Sequence, residues 1–233
     1  MVGKYKTKIV NIVGPQGVGK TTIWNLVEKD LIEHGINCVT INCTGYGTSP
    51  TPLRQLGRIT DYAIMAMDRT GRVFPFLAIA GLNSTLLYNI AKYFAITKDP
   101  DLVLIQRNPY LDTYAMGEAV LRRTFPKRLT RFFSKMLTYE SPDLLIHLDA
   151  EPEVLYERIL QRIEEAPTST DKQKPHLYEN ITQLERIRRG YFDVIDTQFD
   201  GERILRLDTS NLTIQEVFDA VKSRIYKLFE TDM

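Results

Sequence analysis

The chain has 233 residues, of which 43% are hydrophobic and 25% are charged. This balance predicts one globular domain, residues 1–233, with a sizeable core. The formal net charge of +1 excludes bulk attraction to nucleic acid or an anionic membrane, so any basic site must be local. Cys38 and Cys43 are an odd number of residues apart in a predicted strand, which makes a disulfide between them awkward. Reduced thiols and a cytoplasmic location are therefore expected.

No export signal or membrane span is expected. The N-terminal stretch MVGKYKTKIV lacks an apolar run long enough for a signal peptide. No residue between Arg72 and Lys92 is charged, but Pro75, Gly81 and several amide and hydroxyl side chains make this segment too polar for a span. A helix buried in the core or at a subunit contact is predicted instead.

Short apolar runs alternate with helical patterns along the chain, which is typical of a parallel sheet covered by helices on both faces. Five strands are predicted, at residues 8–13, 37–43, 102–105, 144–148 and 203–207. Helices are predicted at residues 21–34, 53–68, 76–96, 128–138, 153–163, 177–198 and 214–229. Gly35 is well placed to cap the first helix. The segment EEAPTSTDKQKP, residues 164–175, has the composition of a mobile loop.

The stretch GPQGVGKTT follows the first strand and precedes the first helix. It matches the pattern G-x-x-x-x-G-K-[ST] of a phosphate-binding loop (P-loop), in which backbone N–H groups and a helix N-terminus surround phosphates. The lysine would reach the terminal phosphates of ATP, and the Thr21 hydroxyl would ligate Mg²⁺. The predicted nucleotide contacts are Gly14, Pro15, Gln16, Gly17, Val18, Gly19, Lys20, Thr21 and Thr22.

A phosphate-binding loop is compatible with a kinase. A kinase needs, besides this loop, cations that hold the acceptor and offset charge on the phosphoryl group in transfer. Gln106 and Arg107 directly follow the third predicted strand, at the sheet edge where open α/β folds bind ligands. Arg158 and Arg162 are four apart on one helix, immediately before the predicted loop. A GTP switch is disfavoured because no N-K-x-D tetrad occurs and the one D-x-x-G, residues 68–71, follows a helical pattern.

Four stretches of the chain occur in the order and near the spacing seen in thymidylate kinases. They are the phosphate-binding loop, QRNPYLDTYAMG, SPDLLIHLDAEPEVLYERI and RILRLDTSNLTIQEVFDAV. The resemblance covers almost the whole chain. It implies a P-loop nucleotide kinase-like fold, with a five-stranded parallel sheet, helices on both faces and a mobile lid at about residues 158–176. It also implies a homodimer that moves phosphate from ATP to dTMP with Mg²⁺.

Lys20 of the loop is a predicted catalytic residue, and the resemblance, carried over by position, adds three arginines. Arg107 would hold the acceptor phosphate and the migrating group. Arg158 and Arg162 would be lid arginines, which matter more because Gly17 stands where some members carry a loop arginine.

The chain departs from the family pattern at several positions. Gln106 replaces a carboxylate that assists the metal, and Gln16 replaces a loop acid. The family's arginine-and-acid signature after the second strand is missing, which leaves Arg54 as the nearest phosphate contact. An arginine that helps to read thymine is also missing, although Phe74 or Phe76 could stack on a base.

Two alternatives stay open. One is a deoxynucleoside kinase, which would need a general base for a sugar hydroxyl, whereas no acid follows the second strand until Asp61. The other is a nucleotide-binding protein with weak or no catalysis.

Three further side chains are candidate acceptor contacts. Tyr110, Asp112 and Tyr114 could line an acceptor pocket, although packing explains the tyrosines equally well. The basic run at residues 121–137 has apolar residues interleaved, so a solvated helix face is favoured over nucleic-acid binding.

Overall fold

A computed structural model describes residues 7–42, 88–90, 92–93, 95–112, 115, 141–165 and 179–230. The strands are β1 (Lys8–Val13), β2 (Cys38–Asn42), β3 (Leu102–Gln106), β4 (Leu144–Asp149) and β5 (Ile204–Asp208). The helices with defined bounds are α1 (Lys20–Glu33), α2 (Pro152–Glu165), α3 (Ile181–Gln198) and α4 (Ile214–Glu230), with a 3₁₀ turn at Gly201–Arg203.

The five strands form one parallel sheet in the order β2-β3-β1-β4-β5. The predicted α/β class and five-stranded parallel sheet are confirmed. The register aligns Ile12 with Gln106, and Val13 with His147. The carboxyl ends of β1, β3 and β4 therefore meet at one edge, where the segments after each strand can form a common site.

Alternating side chains of the central strands pack into two hydrophobic cores, one on each face of the sheet. Val10 and Ile12 of β1 pack in the core that includes residues of α1, α2 and α4. Val13 packs in the opposite core with Ile105 and the α3 residue Tyr191. All five side chains are almost fully buried, so the sheet is covered on both faces as predicted.

Helix ends follow recognisable capping signals. Gly35 adopts φ 74°, and the N–H groups of Gly35 and Ile36 donate to the carbonyls of Ile32 and Leu31. This is the predicted glycine cap, in the Schellman pattern. In α3, the Asn180 side chain accepts from the backbone N–H of Gln183, and this cap begins the helix at Ile181 rather than at residue 177.

Several predicted elements differ in extent or lie outside the described residues. Helix α2 continues through Glu165 instead of ending at residue 163. Residues 88–90, 92–93 and 95–96 of the predicted 76–96 helix are helical. The predicted helices at 53–68 and 128–138, and most of the predicted lid, lie outside the described residues. In the part of the chain that is described, no helix has the length and apolarity to cross a bilayer.

Candidate active site

The loop between β1 and α1 is shaped by glycines that a larger residue could not replace. Gly14 has φ 144°, and a Cβ there would lie 2.1 Å from the carbonyl oxygen of Leu148. Gly17 has φ 81°, and its Cβ would lie 2.6 Å from the carbonyl oxygen of Leu155. The loop therefore packs directly on the end of β4 and on α2. Helix α1 begins after Gly19 with no side-chain cap, which leaves its first N–H groups available to an anion.

Lys20 is held by the loop itself. Its Nζ donates to the carbonyl oxygens of Gly14 and Pro15, each at 2.7 Å, and the residue is buried. Burial lowers the pKa of Lys20 to about 7, and the positive charge of Arg107 acts in the same direction. Phosphate oxygens arriving at the loop would replace the carbonyls as partners and would restore a higher pKa for this amine.

Thr21 and Gln106 form the oxygen-rich corner where the predicted metal would bind. Gln106 Nε2 donates to Thr21 Oγ1 at 2.6 Å. Gln106 is 3% exposed, and among the described residues its Oε1 has no hydrogen-bond partner. Mg²⁺ is a hard cation that takes oxygen ligands, so the Thr21 hydroxyl can serve as one of them together with phosphate oxygens and water.

The other predicted loop residues vary in exposure. Val18 is buried, whereas Thr22 is exposed on α1. The side-chain oxygen of Gln16 is buried and has no hydrogen-bond partner within the described ranges.

Arg107 lies directly after β3, in a backbone conformation that is unusual for an arginine. Its φ is 70°, and its N–H donates to the carbonyl of Ile12 at 3.0 Å. The next residue, Asn108, accepts from the N–H groups of Tyr110 and Leu111 through its side chain. This cap turns the chain sharply from the strand into a helix. Such left-handed non-glycine residues occur where the surrounding structure fixes them, often at functional sites.

A group of charges meets beside the loop. Lys20 experiences the positive charges of Arg107 and Arg162 and the negative charge of Asp112. Burial raises the pKa of Asp112, while the charge of Arg107 partly offsets this effect. The Tyr191 hydroxyl donates to Asp112 Oδ1 at 2.5 Å. The charges of Arg107, which follows β3, and of Arg162 on α2 therefore act on the lysine of the loop, which is compatible with a phosphate site.

The two predicted lid arginines have different partners. Arg158 donates to Thr209 twice, to Oγ1 at 3.0 Å and to the carbonyl oxygen at 2.7 Å, at the end of β5. Arg162 donates to the buried Glu179 at 3.2 Å, and its own side chain is 60% exposed. Their common helix face does not give them a common partner. Their roles in a lid stay predictions.

Two contacts of helix α3 were not anticipated from the sequence. Arg188 binds Asp149 Oδ2 at 2.7 Å and Glu151 at 2.9 Å, and so fixes α3 to the end of β4. Tyr191 reaches Asp112, which is 79 positions away in the chain. A basic residue and a tyrosine three positions apart indicate one helix face, but no local signal identifies their partners.

The remaining predicted acceptor contacts divide into two groups. Tyr110 is fully buried, and its hydroxyl accepts from Asn89 at 2.7 Å, which favours the packing interpretation for this residue. Arg54, Phe74, Phe76 and Tyr114 lie outside the described residues, as does the basic run at 121–137.

Known proteins resemble the chain over nearly its full length. A thymidylate kinase of Clostridium novyi (strain NT) is 25% identical over 217 residues, which are 93% of this chain and 97% of that protein. One from Shouchella clausii (strain KSM-K16) is 24% identical over 223 residues, 96% of each chain. A third, from Leptospira borgpetersenii serovar Hardjo-bovis (strain L550), is 28% identical over 182 residues, 76% of each chain. No family model matches the chain.

These similarities support a thymidylate kinase family assignment. The resemblance predicted from the sequence motifs is thus confirmed. The similarity to the first two thymidylate kinases leaves at most 7% of the chain uncovered. The homodimer implied by the resemblance stays a prediction.

Proposed function

We propose that this chain transfers the γ-phosphoryl group of ATP to a (deoxy)nucleoside monophosphate, with dTMP as the first acceptor to test. The observation that carries the proposal is the phosphate-binding loop itself, in which the buried Lys20 is held at the start of α1 and feels the charges of Arg107 and Arg162. The similarity to thymidylate kinases over nearly the whole chain supports the choice of acceptor class.

The loop binds the donor. Backbone N–H groups at the start of α1 face the β- and γ-phosphates, and Lys20 exchanges its contacts with Gly14 and Pro15 for phosphate oxygens. Thr21 would hold Mg²⁺, with Gln106 beside it, and the bound ion supplies charge neutralisation at the phosphates. These residues align the terminal phosphorus for attack along one axis.

The acceptor needs little activation. A phosphate monoester is largely dianionic near neutral pH, so one of its oxygens can attack the γ-phosphorus without a general base. The new bond forms as the bond between the γ-phosphorus and the β–γ bridging oxygen breaks, which gives a nucleoside diphosphate and ADP. Arg107 would contact both substrates and offset charge on the group in transfer, assisted by Arg162 and Arg158 from α2.

A second candidate, phosphorylation of a nucleoside hydroxyl, is favoured by one observation. Asp112 supplies a carboxylate within electrostatic range of Lys20 and Arg107, and a hydroxyl acceptor would need such a base.

An ADP-formation screen with ATP and Mg²⁺, run against every common nucleoside and nucleoside monophosphate, separates the candidates. We expect turnover with monophosphates and the highest kcat/KM for dTMP. Turnover with nucleosides alone would replace the proposal with the second candidate. ATP binding without turnover of any acceptor would indicate a nucleotide-binding protein.

The screen has a matched pair of lysine variants on one helix. Lys20→Ala removes the buried amine at the loop, whereas Lys29→Ala removes an exposed one that pairs with Glu33 at 3.8 Å. We expect the Lys20 variant to lose turnover by at least about a hundredfold and the Lys29 variant to keep it.

A further inference from the structure

His147 is a fully buried histidine on the sheet face that α3 covers. It is 0% exposed, and neither of its ring nitrogens has a hydrogen-bond partner within the described ranges. The register of the sheet places it beside Val13 of β1 and Arg206 of β5. A neutral imidazole is tolerated here at a moderate cost, whereas the charged form would carry two N–H donors with no acceptor on either.

Two aromatic residues of α3 enclose the imidazole ring. Tyr191 stacks on it, with ring centroids 5.7 Å apart and an interplanar angle of 26°. Phe192 meets it edge to face, with centroids 5.2 Å apart and an angle of 83°. The Tyr191 hydroxyl is already engaged, because it donates to Asp112. The two aromatic rings therefore pack α3 against the sheet but offer no hydrogen-bond acceptor to the ring nitrogens.

The cations around the ring disfavour its protonation. Arg206 is its neighbour on β5, and the Arg206 guanidinium lies over the Phe192 ring at 5.7 Å. Arg188 of α3 lies over the same phenyl ring at 5.8 Å. Burial is the main cause that lowers the pKa of His147 to about 3, and the charges of these two arginines and of Lys20 act in the same direction.

The acids on this face are already paired with other groups. The charge of Asp196 opposes the effect of the cations, but Asp196 forms an ion pair with Arg206. Asp149, two positions after His147 on the same face of β4, binds Arg188 through Oδ2 at 2.7 Å. Its other oxygen, Oδ1, does not reach the ring nitrogens. Among the residues that the structure describes, a proton on the ring would thus add a charge without a counter-ion.

We propose that His147 is an acid-sensitive contact between α3 and the sheet: the neutral ring holds the helix in place, and protonation of the ring releases it. The inference does not depend on the proposed function. Helix α3 also carries Tyr191, which binds Asp112, and Arg188, which binds the end of β4. Release of α3 would therefore break both of these contacts beside the phosphate-binding loop.

The pH range of this effect follows from the two states of α3. When the helix is released, the ring meets water and its pKa is near the ordinary value of 6.5, whereas in the packed state the pKa is about 3. Release therefore takes up a proton between these two values, and the packing of α3 weakens as the pH falls from about 6.5 toward 3. Above about pH 6.5 the ring is neutral in both states and adds no pH dependence.

Hydrogen exchange measured by mass spectrometry at pH 7.5 and pH 5, corrected for the intrinsic exchange rates, tests the contact. His147→Phe keeps an aromatic ring but cannot take up a proton. We expect the protection of α3 to fall between these pH values by at least about tenfold more in the native chain than in this variant. Helix α1 packs in the opposite core, so its protection in the native chain should change by less than about threefold.

The matched control is His34→Gln. This histidine lies at the end of α1 with its side chain 53% exposed, so its loss should leave the acid response of α3 as it is in the native chain. An equal fall in α3 protection in the native chain and in His147→Phe would overturn the proposal. Equal falls in α1 and α3 of the native chain would also overturn it, because they would show unfolding of the whole domain instead of release of one helix.

A second measurement needs only the native ring at position 147 and so decides the matter even if His147→Phe does not fold. The chain has three histidines, and labelling them with ¹³C at Cε1 gives three resolvable NMR signals. The His34→Gln and His176→Gln variants assign the other two. We expect the His147 signal of molecules with α3 in place to keep the shift of a neutral ring at pH 5. A His147 signal that titrates near pH 6.5 while α3 stays protected would overturn the proposal, because the ring would then accept a proton without release of the helix.

Discussion

Gln106 Nε2 lies 2.6 Å from Thr21 Oγ1 and joins the carboxyl end of β3 to the first turn of α1. The amide donates to an oxygen that is also the predicted metal ligand. Its own Oε1 is buried and has no partner among the described residues. Rotation of the amide would turn Oε1 toward the Thr21 hydroxyl, which could then donate a hydrogen bond while its oxygen binds a cation. Gln106 thus supports Thr21 without adding charge.

Substitution of Gln106 should change metal affinity before it changes nucleotide affinity. Gln106→Leu leaves Thr21 without its partner, and we expect the Mg²⁺ concentration for half-maximal turnover to rise about tenfold, as is typical for the loss of a supporting residue. Gln106→Asp adds a negative charge beside the ion and should lower that concentration. Mn²⁺ titration of the ATP complex by electron paramagnetic resonance gives a readout that is independent of turnover. An unchanged Mn²⁺ affinity in both variants would contradict the assignment of Thr21 to the metal.

Lys20 makes nucleotide binding depend on pH. In the free chain its pKa is about 7, because burial disfavours the charged form. Bound phosphates favour that form and raise the pKa, so above pH 7 binding takes up a proton and affinity falls as pH rises. Calorimetry at pH 8 in buffers with different ionisation enthalpies should detect uptake of about one proton per ATP.

The control for this experiment is Lys20→Arg. An arginine stays charged throughout this pH range, so the proton uptake should disappear even if ATP still binds. Proton uptake that persists in Lys20→Arg would assign the titration to another group.

Arg107 should contribute more to turnover of the acceptor than to binding of ATP. We expect Arg107→Ala to reduce kcat/KM for the acceptor by at least about a hundredfold, with the Kd for ATP within threefold, because the residue lies beyond β3 rather than in the loop. Equal losses for both substrates would remove Arg107 from this role.

A second variant tests the backbone at the same position. The φ of 70° costs a residue with a Cβ about 1 kcal/mol or more relative to glycine. Arg107→Gly should therefore be more stable than Arg107→Ala by about that amount in chemical denaturation, with the same catalytic defect.

Most of the fold could be predicted from the hydrophobic runs and from the positions of the glycines. Strand β1 has its predicted bounds, because a polar segment before it and the glycine loop after it limit the strand to these six residues. The site depended more on contacts distant in sequence. Arg158 and Arg162 share a helix face but meet Thr209 and Glu179, which lie on segments whose positions the helical pattern does not fix.

The contact between Tyr191 and Asp112 could not be predicted from the sequence either. Gly190 explains how α3 comes close enough to make it. Gly190 lies against the backbone of Ala115, and a Cβ on it would lie 2.9 Å from both the Cα and the carbonyl oxygen of that residue. The two backbones therefore approach more closely than any side chain would allow. This approach brings the tyrosine next to the carboxylate.

Gly190→Ala should move α3 away from Ala115. The added methyl meets backbone atoms that cannot rotate away, so we expect the free energy of unfolding to fall by about 1–3 kcal/mol. Gly201→Ala is the matched control because a Cβ there meets nothing within 4 Å, and its unfolding free energy should change by less than about 0.5 kcal/mol. Equal stability of the two variants in urea denaturation would show that this close approach does not hold α3 in place.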